Sequence, residues 1–193
     1  GLHPLLDPRL MWCTVLGSGG VRELLWIERQ EGYSANFLER QGLGAGDTIL
    51  VYSHGGLNAA PIEVAMEAKK RGLSVVAVTS LANAAQAKAT HSSGKRLADV
   101  ADITIDNCVP PQDALISIDG VSTPVAAGST VTAISISMAL VAEIAAQLAR
   151  RGFALDTFVS PNVAAVEADH NLHVFDQHEK LMRTLPTRTQ ATQ

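Results

Sequence analysis

Several residue types are scarce in this chain, and each scarcity excludes a class of protein. Cysteine occurs only twice in 193 residues, which excludes a secreted fold built on several disulfides and favours a reducing, cytoplasmic location. The two cysteines, Cys13 and Cys108, match no metal-site spacing, and we expect both to be buried thiols. Charged residues make up 18% of the chain and the net charge is −4. Nucleic-acid-binding domains are usually basic, so this balance argues against a nucleic-acid partner.

The sequence also lacks a signal peptide and an uninterrupted apolar run. Residues 1–4 contain neither a basic segment nor an apolar one. The most apolar stretch, residues 129–149, is interrupted by Glu143 and Gln147. It therefore predicts a buried, alanine-rich helix rather than a membrane span, and we expect no membrane partner.

Apolar residues nevertheless make up 47% of the chain, which is enough for a folded core without metal or disulfide support. We find no internal repeat and no linker. Residues 1–183 are therefore predicted to form one domain, and residues 184–193 a frayed tail.

The clearest pattern is a strand–helix–strand unit. Residues 48–52 and 74–79 are short apolar runs rich in β-branched residues, which is typical of buried parallel strands. Residues 59–71 have the apolar spacing of a helix, with Asn58 as a good N-cap residue and Gly72 after its end. Alternating strands and helices predict an α/β fold with a mainly parallel sheet. Further helices are predicted at 21–29, 33–41, 81–89, 95–100, 129–150 and about 168–183, and further strands at 102–106, 114–118 and 121–125.

Ligands of open α/β sheets bind beyond the carboxyl ends of the strands. The run after the first strand is Ser53, His54, Gly55 and Gly56, just before the helix that follows Asn58. The glycines allow the backbone to approach an anion, the helix start offers N–H groups, and the two side chains add donors. The run therefore predicts an anion cradle. The alternative is a tight turn that only requires glycine.

Two other segments contain residue types that can donate hydrogen bonds to an anion. Ser129 and Thr130 begin the long predicted helix, where they either bind an anion or only cap the helix. His91 lies in the run HSSGKRL, residues 91–97. That run either meets an anion or only separates two helices.

Four runs, taken in order, resemble the SIS (sugar isomerase) domain family, and in particular its uncharacterised, phosphosugar-binding, UPF0309-like branch. They are VYSHGGLNAAPIEVA (51–65), VVAVTS (75–80), HSSGKRLADVADITIDNC (91–108) and FVSPNV (158–163). The resemblance covers most of residues 1–172. It implies a Rossmann-like three-layer α/β/α fold with a five-stranded, mainly parallel sheet, and a homodimer or homotetramer. It also implies a phosphorylated sugar ligand, with phosphate contacts from Ser53, Gly55, Gly56 and Asn58 and a pocket lined by Thr79 and Ser80.

The chain departs from the family pattern in two ways. The family loop reads Ser-x-Ser-Gly, and Gly55 here removes the second hydroxyl. A protonated His54 would partly replace that donor. The sequence also begins after the helix–strand unit with which SIS domains start, so we expect either a fragment or a reduced homologue whose pocket a partner chain completes.

Isomerisation of a sugar phosphate needs a base that moves a proton between adjacent carbons and an acid that opens the ring. Glu63, one turn into the helix after the loop, is the first candidate, and a solvated glutamate is the alternative. His170 is the second, by analogy with SIS isomerases that use a histidine near the C-terminus, with a surface histidine as the alternative.

The leading hypothesis is therefore a sugar-phosphate isomerase acting on an aldose–ketose pair or an amino-sugar phosphate. A non-catalytic phosphosugar sensor and a lyase resembling muramic-acid-phosphate etherases are the alternatives. The sequence contains neither a metal-ligand cluster nor a dinucleotide fingerprint, so we expect no cofactor and no metal.

Overall fold

A computed structural model describes residues 4–5, 20–39, 41–160, 162 and 167–184 of the chain. The chain divides into two compact units, Gly1–Ile136 and Ser137–Gln193. The helices and strands of the described part are α1 (Gly20–Ile27), α2 (Tyr33–Leu38), β1 (Thr48–Tyr52), α3 (Ala59–Lys70), β2 (Ser74–Thr79), α4 (Leu81–Gln86), α5 (Leu97–Val100), β3 (Ile103–Asp106), β4 (Ala114–Ile116), β5 (Val125–Ala127), α6 (Gly128–Arg150) and α7 (His170–Thr184).

The first unit is built on a parallel sheet with the order β1-β2-β3. Thr48 lies opposite Ser74, and Val76 lies opposite Ile103. Helix α3 connects β1 to β2, as a parallel pair requires. This parallel sheet flanked by helices confirms the predicted α/β, Rossmann-like fold class.

The core of this unit lies between the sheet and α3. Alternate residues of β1 point into it, and β2 is buried along most of its length because helices cover it. Helix α3 contributes Ile62 and Ala65, both fully buried. The buried cluster comprises Ile49, Val51, Ile62, Ala65, Ala68, Leu73, Val75, Ala77 and Leu97.

Strands β4 and β5 pair with each other in a separate antiparallel sheet. The described residues thus form a three-stranded parallel sheet and a hairpin, whereas the resemblance implied one five-stranded sheet. Residues 117–124 connect the two strands. The pair is antiparallel because this connection is too short for the crossover that a parallel neighbour would need. The last strand begins at Val125 rather than at residue 121, because Pro124 has no N–H group to donate to the ladder.

Helix α6 forms as predicted, but its side chains are not buried. Gly128 is its buried residue, where the side chains of Val109 and Leu115 lie against the backbone. Further along, Val131 and Ile134 are 65% and 62% exposed. The expectation of a buried helix is therefore wrong for the described chain. Among the described helices, α6 is long and apolar enough to cross a membrane by length and composition alone.

The second unit contains α7 and the segment before it. The rings of Phe158 and Phe175 meet edge to face with centroids 4.7 Å apart. The Asn171 side chain donates to the Val159 carbonyl at 2.8 Å. The predicted frayed tail after Thr184 lies outside the described residues.

Of the two cysteines, Cys13 also lies outside the described residues. Cys108 is exposed, so the expectation of a buried thiol is wrong at this position. The loop after β3 holds the Cys108 backbone in a left-handed conformation with φ 56°. Its N–H donates to Asp106 Oδ1 at 3.0 Å, and this places the side chain at the surface.

A candidate anion-binding cavity

A cavity of about 220 Å³ lies within the first unit at the carboxyl ends of the parallel strands. This is the edge at which open α/β sheets bind ligands. The strand ends supply one side, and the start of α6 supplies the other. The lining residues are Tyr52, Ser53, His54, Val78, Asn107, Ser129, Thr130, Thr132 and Ala133.

The turn after β1 depends on Gly56. Its φ is +60°, and an added Cβ would lie 2.9 Å from Thr79 Oγ1 and 3.2 Å from Leu97 Cβ. The Gly56 N–H donates to Ser53 Oγ at 3.2 Å, and its carbonyl accepts the Leu97 N–H at 2.9 Å. Glycine is therefore required here by packing. Because the Ser53 hydroxyl oxygen acts as the acceptor in this contact, its proton can still be donated towards the cavity.

Thr79 and Ser80 stabilise this turn through hydrogen bonds to one of its carbonyl groups. Thr79 Oγ1 donates to the His54 carbonyl at 3.0 Å, and the Ser80 N–H donates to the same carbonyl at 3.0 Å. The Ser80 hydroxyl donates to the Val109 carbonyl at 2.6 Å. Both residues are buried, and the structure places them behind the cavity wall.

Asn58 is the N-cap residue of α3, as predicted, and its backbone is extended. Its side chain nevertheless makes no capping hydrogen bond. One of the N–H groups at the helix start, that of Ala60, donates to the Glu28 carbonyl at 2.9 Å. The Asn58 amide is thus not used to cap its own helix.

His54 is held on both ring nitrogens. Nε2 lies 3.2 Å from the Pro111 carbonyl, and Nδ1 lies 3.4 Å from the Asn107 amide nitrogen. A carbonyl can only accept, so the ring donates from Nε2 in the contact with Pro111. Nδ1 also lies 4.0 Å from Asp113 Oδ1.

Ser129 and Thr130 line the cavity at the start of α6. The Ser129 N–H donates to Asp113 Oδ1 at 2.8 Å, and its hydroxyl donates to Oδ2 at 2.9 Å. The Asp113 carboxylate, rather than Ser129, therefore caps α6. Sequence reasoning missed both Asn107 and Asp113. Asn107 directly follows β3 and could have been found from the strand-end rule, whereas no local pattern marks Asp113.

Glu63 and His91 come together, and neither is among the residues that line the cavity. His91 Nε2 is buried without a hydrogen-bond partner among the described residues, and it lies 3.6 Å from Glu63 Oε1 and 3.8 Å from Glu31 Oε2. Glu63 Oε1 accepts the Gly32 N–H at 2.6 Å. Hydrogen bonds from the Ser92 hydroxyl and N–H lower the pKa of Glu31 below its usual range.

His170 is the first residue of α7 and belongs to the second unit. Its Nε2 lies 2.8 Å from the Thr157 carbonyl, a contact in which the ring donates. Of the two predicted acid–base residues, Glu63 thus belongs to the first unit and His170 to the second.

Known proteins resemble this chain along most of its length. A family profile of the SIS domain matches residues 1–80. A UPF0309 protein of Caldanaerobacter subterraneus subsp. tengcongensis is 37% identical over 168 residues, covering 86% of this chain and 68% of the relative. A UPF0309 protein of Listeria innocua is 33% identical over 179 residues, covering 93% and 70%. One of Streptomyces coelicolor is 38% identical over 152 residues, covering 79% and 60%.

Proposed function

Because the chain belongs to the UPF0309 family and contains an SIS domain, we propose that it binds a phosphorylated sugar in the cavity beyond β1. The observation that carries this proposal is that side-chain hydrogen-bond donors of the loop after β1 remain available to a ligand. The Ser53 hydroxyl accepts from Gly56 and keeps its proton to donate. The Asn58 side chain, which makes no capping bond, carries an NH2 group that can donate as well. Ser53 lines the cavity, and Asn58 lies at the start of α3, where a helix attracts negative charge.

The loop from Ser53 to Asn58 is proposed to hold the phosphate, with backbone approach at Gly55 and Gly56. Thr79 and Ser80 support the loop through the His54 carbonyl. One hydroxyl that the related loops carry is replaced by Gly55. A charge-assisted hydrogen bond is worth about 1.5–3 kcal/mol, so we expect weaker phosphate binding than in a loop with two hydroxyls.

For activity, we propose the isomerisation of an aldose–ketose or amino-sugar phosphate, with Glu63 and His170 as acid–base candidates. One observation favours a phosphosugar sensor as the second candidate. The Glu63 carboxylate accepts backbone N–H groups of Gly32 and Ser34, and Glu63 is not among the residues that line the cavity.

Thermal melts with hexose and hexosamine phosphates, each beside its unphosphorylated sugar, test binding. A ligand at 100 times its dissociation constant adds about 2.7 kcal/mol of apparent stability. We expect a higher melting temperature with phosphates only. Equal melting temperatures with and without every phosphate would contradict the proposed function.

Turnover assays with the phosphates that bind then separate the isomerase from the sensor. An isomerase should lose activity in Glu63→Gln and in His170→Ala, whereas Glu39→Gln, an exposed change directly after α2, should retain it. Binding without turnover supports the sensor. Full activity in both variants would contradict the assignment of these two residues.

We also propose a cytoplasmic homodimer or homotetramer. Large apolar side chains are exposed on and around the β4–β5 hairpin, and exposed apolar patches commonly mark contacts between subunits. Light scattering after gel filtration tests this assembly, and a monomer at micromolar concentration would contradict it. The exposed side chains are Leu115, Ile116, Ile118, Val121 and Val125.

A further inference from the structure

The start of α6 already contacts an anionic group of the chain itself, the carboxylate of Asp113. Asp113 Oδ1 accepts the Ser129 N–H at 2.8 Å, and Oδ2 accepts the Ser129 hydroxyl at 2.9 Å. The Asp113 carbonyl also accepts the Gly128 N–H at 2.9 Å. One residue thus uses the donors that a phosphate at this end of the cavity would need.

The backbone of Asp113 is in the left-handed region, with φ 65°. Such a conformation costs a residue with a Cβ about 1–2 kcal/mol, and glycine adopts it readily. The contacts of the carboxylate with Ser129 offset this cost. What distinguishes aspartate from glycine at this position is its carboxylate, which accepts from Ser129 and places a negative charge at the helix start.

The carboxylate also lies next to the cavity wall. Its partner Ser129 lines the cavity, as does His54, whose Nδ1 is 4.0 Å from Oδ1. Negative charges this close repel strongly where little water separates them. A phosphate in the cavity would find the Ser129 donors already occupied. It would also be repelled by the Asp113 carboxylate that occupies them.

We propose that Asp113 is a specificity-determining residue whose carboxylate competes with the ligand's phosphate for the donors at the start of α6. This inference rests on the proposed function. The phosphate is then held by the Ser53–Asn58 loop, and the N–H and hydroxyl of Ser129 become available to it only when Asp113 gives up its contacts. The cavity consequently binds anions less tightly than its donors alone would allow.

Titration calorimetry with inorganic phosphate and with fructose 6-phosphate on the full chain tests this competition. Asp113→Asn removes the charge, and asparagine tolerates the left-handed backbone and retains an oxygen that accepts from Ser129. We expect this variant to bind both ligands about tenfold more tightly than the unchanged protein. Glu39→Gln removes the same charge from an exposed position directly after α2 and should leave affinity unchanged.

A second variant, Asp113→Gly, relieves the backbone and removes the carboxylate altogether, and it should bind more tightly as well. Unchanged or weaker binding in both Asp113 variants, with measurable binding by the unchanged protein, would overturn the competition alone. If none of the proteins binds either ligand, the competition fails, and the melts with the full set of sugar phosphates decide the proposed function separately. Tighter binding in Glu39→Gln as well would show a general charge effect and would overturn the role of Asp113.

Discussion

The Nε2 atom of His91 lies 3.6 Å from Oε1 of Glu63, inside a cluster that joins three separate segments of the chain. Glu63 belongs to α3, and its carboxylate accepts N–H groups from Gly32 and Ser34 at the start of α2. His91 Nδ1 lies 2.8 Å from the Ser93 hydroxyl. The cluster therefore fixes the start of α2 and the loop before α5 against α3.

Glu63→Ala should lower the free energy of unfolding, because it leaves the N–H groups of Gly32 and Ser34 without their acceptor. Hydrogen bonds to a charged group are worth about 1.5–3 kcal/mol each, and we expect a loss of that order. Urea denaturation measures it. Glu39→Ala, an exposed change directly after α2, is the control and should cost little. Equal urea midpoints for the two variants would contradict the anchoring role of Glu63.

Gly56→Ala should destabilise the protein more than Gly94→Ala. Both glycines have positive φ, but an added Cβ at Gly56 would lie 2.9 Å from Thr79 Oγ1, whereas nothing lies within 4 Å at Gly94. The Gly94 variant should thus show only the backbone cost of about 1–2 kcal/mol. The Gly56 variant should add a packing cost of about 1–3 kcal/mol. The melting temperatures of the two variants test this prediction. A larger fall in melting temperature for Gly94→Ala than for Gly56→Ala would contradict it.

Asn58→Ala should weaken sugar-phosphate binding with little effect on stability. Removing a capping side chain usually costs about 1 kcal/mol, but the Asn58 side chain makes no capping bond. Loss of a donor to a charged phosphate should weaken binding about tenfold or more. Ser80→Ala is the matched comparison, because the Ser80 hydroxyl accepts the Asn83 N–H at 3.1 Å and its loss should destabilise the fold. Calorimetry and thermal melts measure the two effects, and an unchanged affinity in Asn58→Ala would remove Asn58 from the site.

The contribution of Asp102 to the free energy of unfolding should decrease at acid pH. Its hydrogen bonds with Lys69 and then with the Val75 N–H lower the pKa of Asp102 below its ordinary value of 3.8. A carboxylate with a lowered pKa in the folded state stabilises the fold fully above the unfolded value, and the contribution is lost as pH falls through the folded value. The advantage of the unchanged protein over Asp102→Asn should therefore hold at pH 6 and shrink below pH 3.8. Urea unfolding at a series of pH values tests this, and a difference that grows in acid would contradict it.

The two strands that position the cavity could be predicted to the residue. Thr48–Tyr52 and Ser74–Thr79 match the predicted bounds because each is a short run rich in apolar, β-branched residues that ends directly before a serine. The hairpin was placed less well. Its second strand begins at Val125 because Pro124 cannot donate to the ladder, and the exposure of α6 could not be predicted from its apolar composition.

The sequence by itself determined the βαβ unit, the turn of Ser53 to Gly56 and the helix start after Asn58, because these follow from local periodicity and from the conformational freedom of glycine. Only the tertiary structure decided which side chains meet. Asp113 and Ser129 are separated by 16 residues, and Gly32 and Glu63 by 31. Their contacts depend on the path of the chain between elements, and no local pattern encodes that path. The same path placed Thr79 and Ser80 behind the cavity wall and set the Asp113 carboxylate at the start of α6.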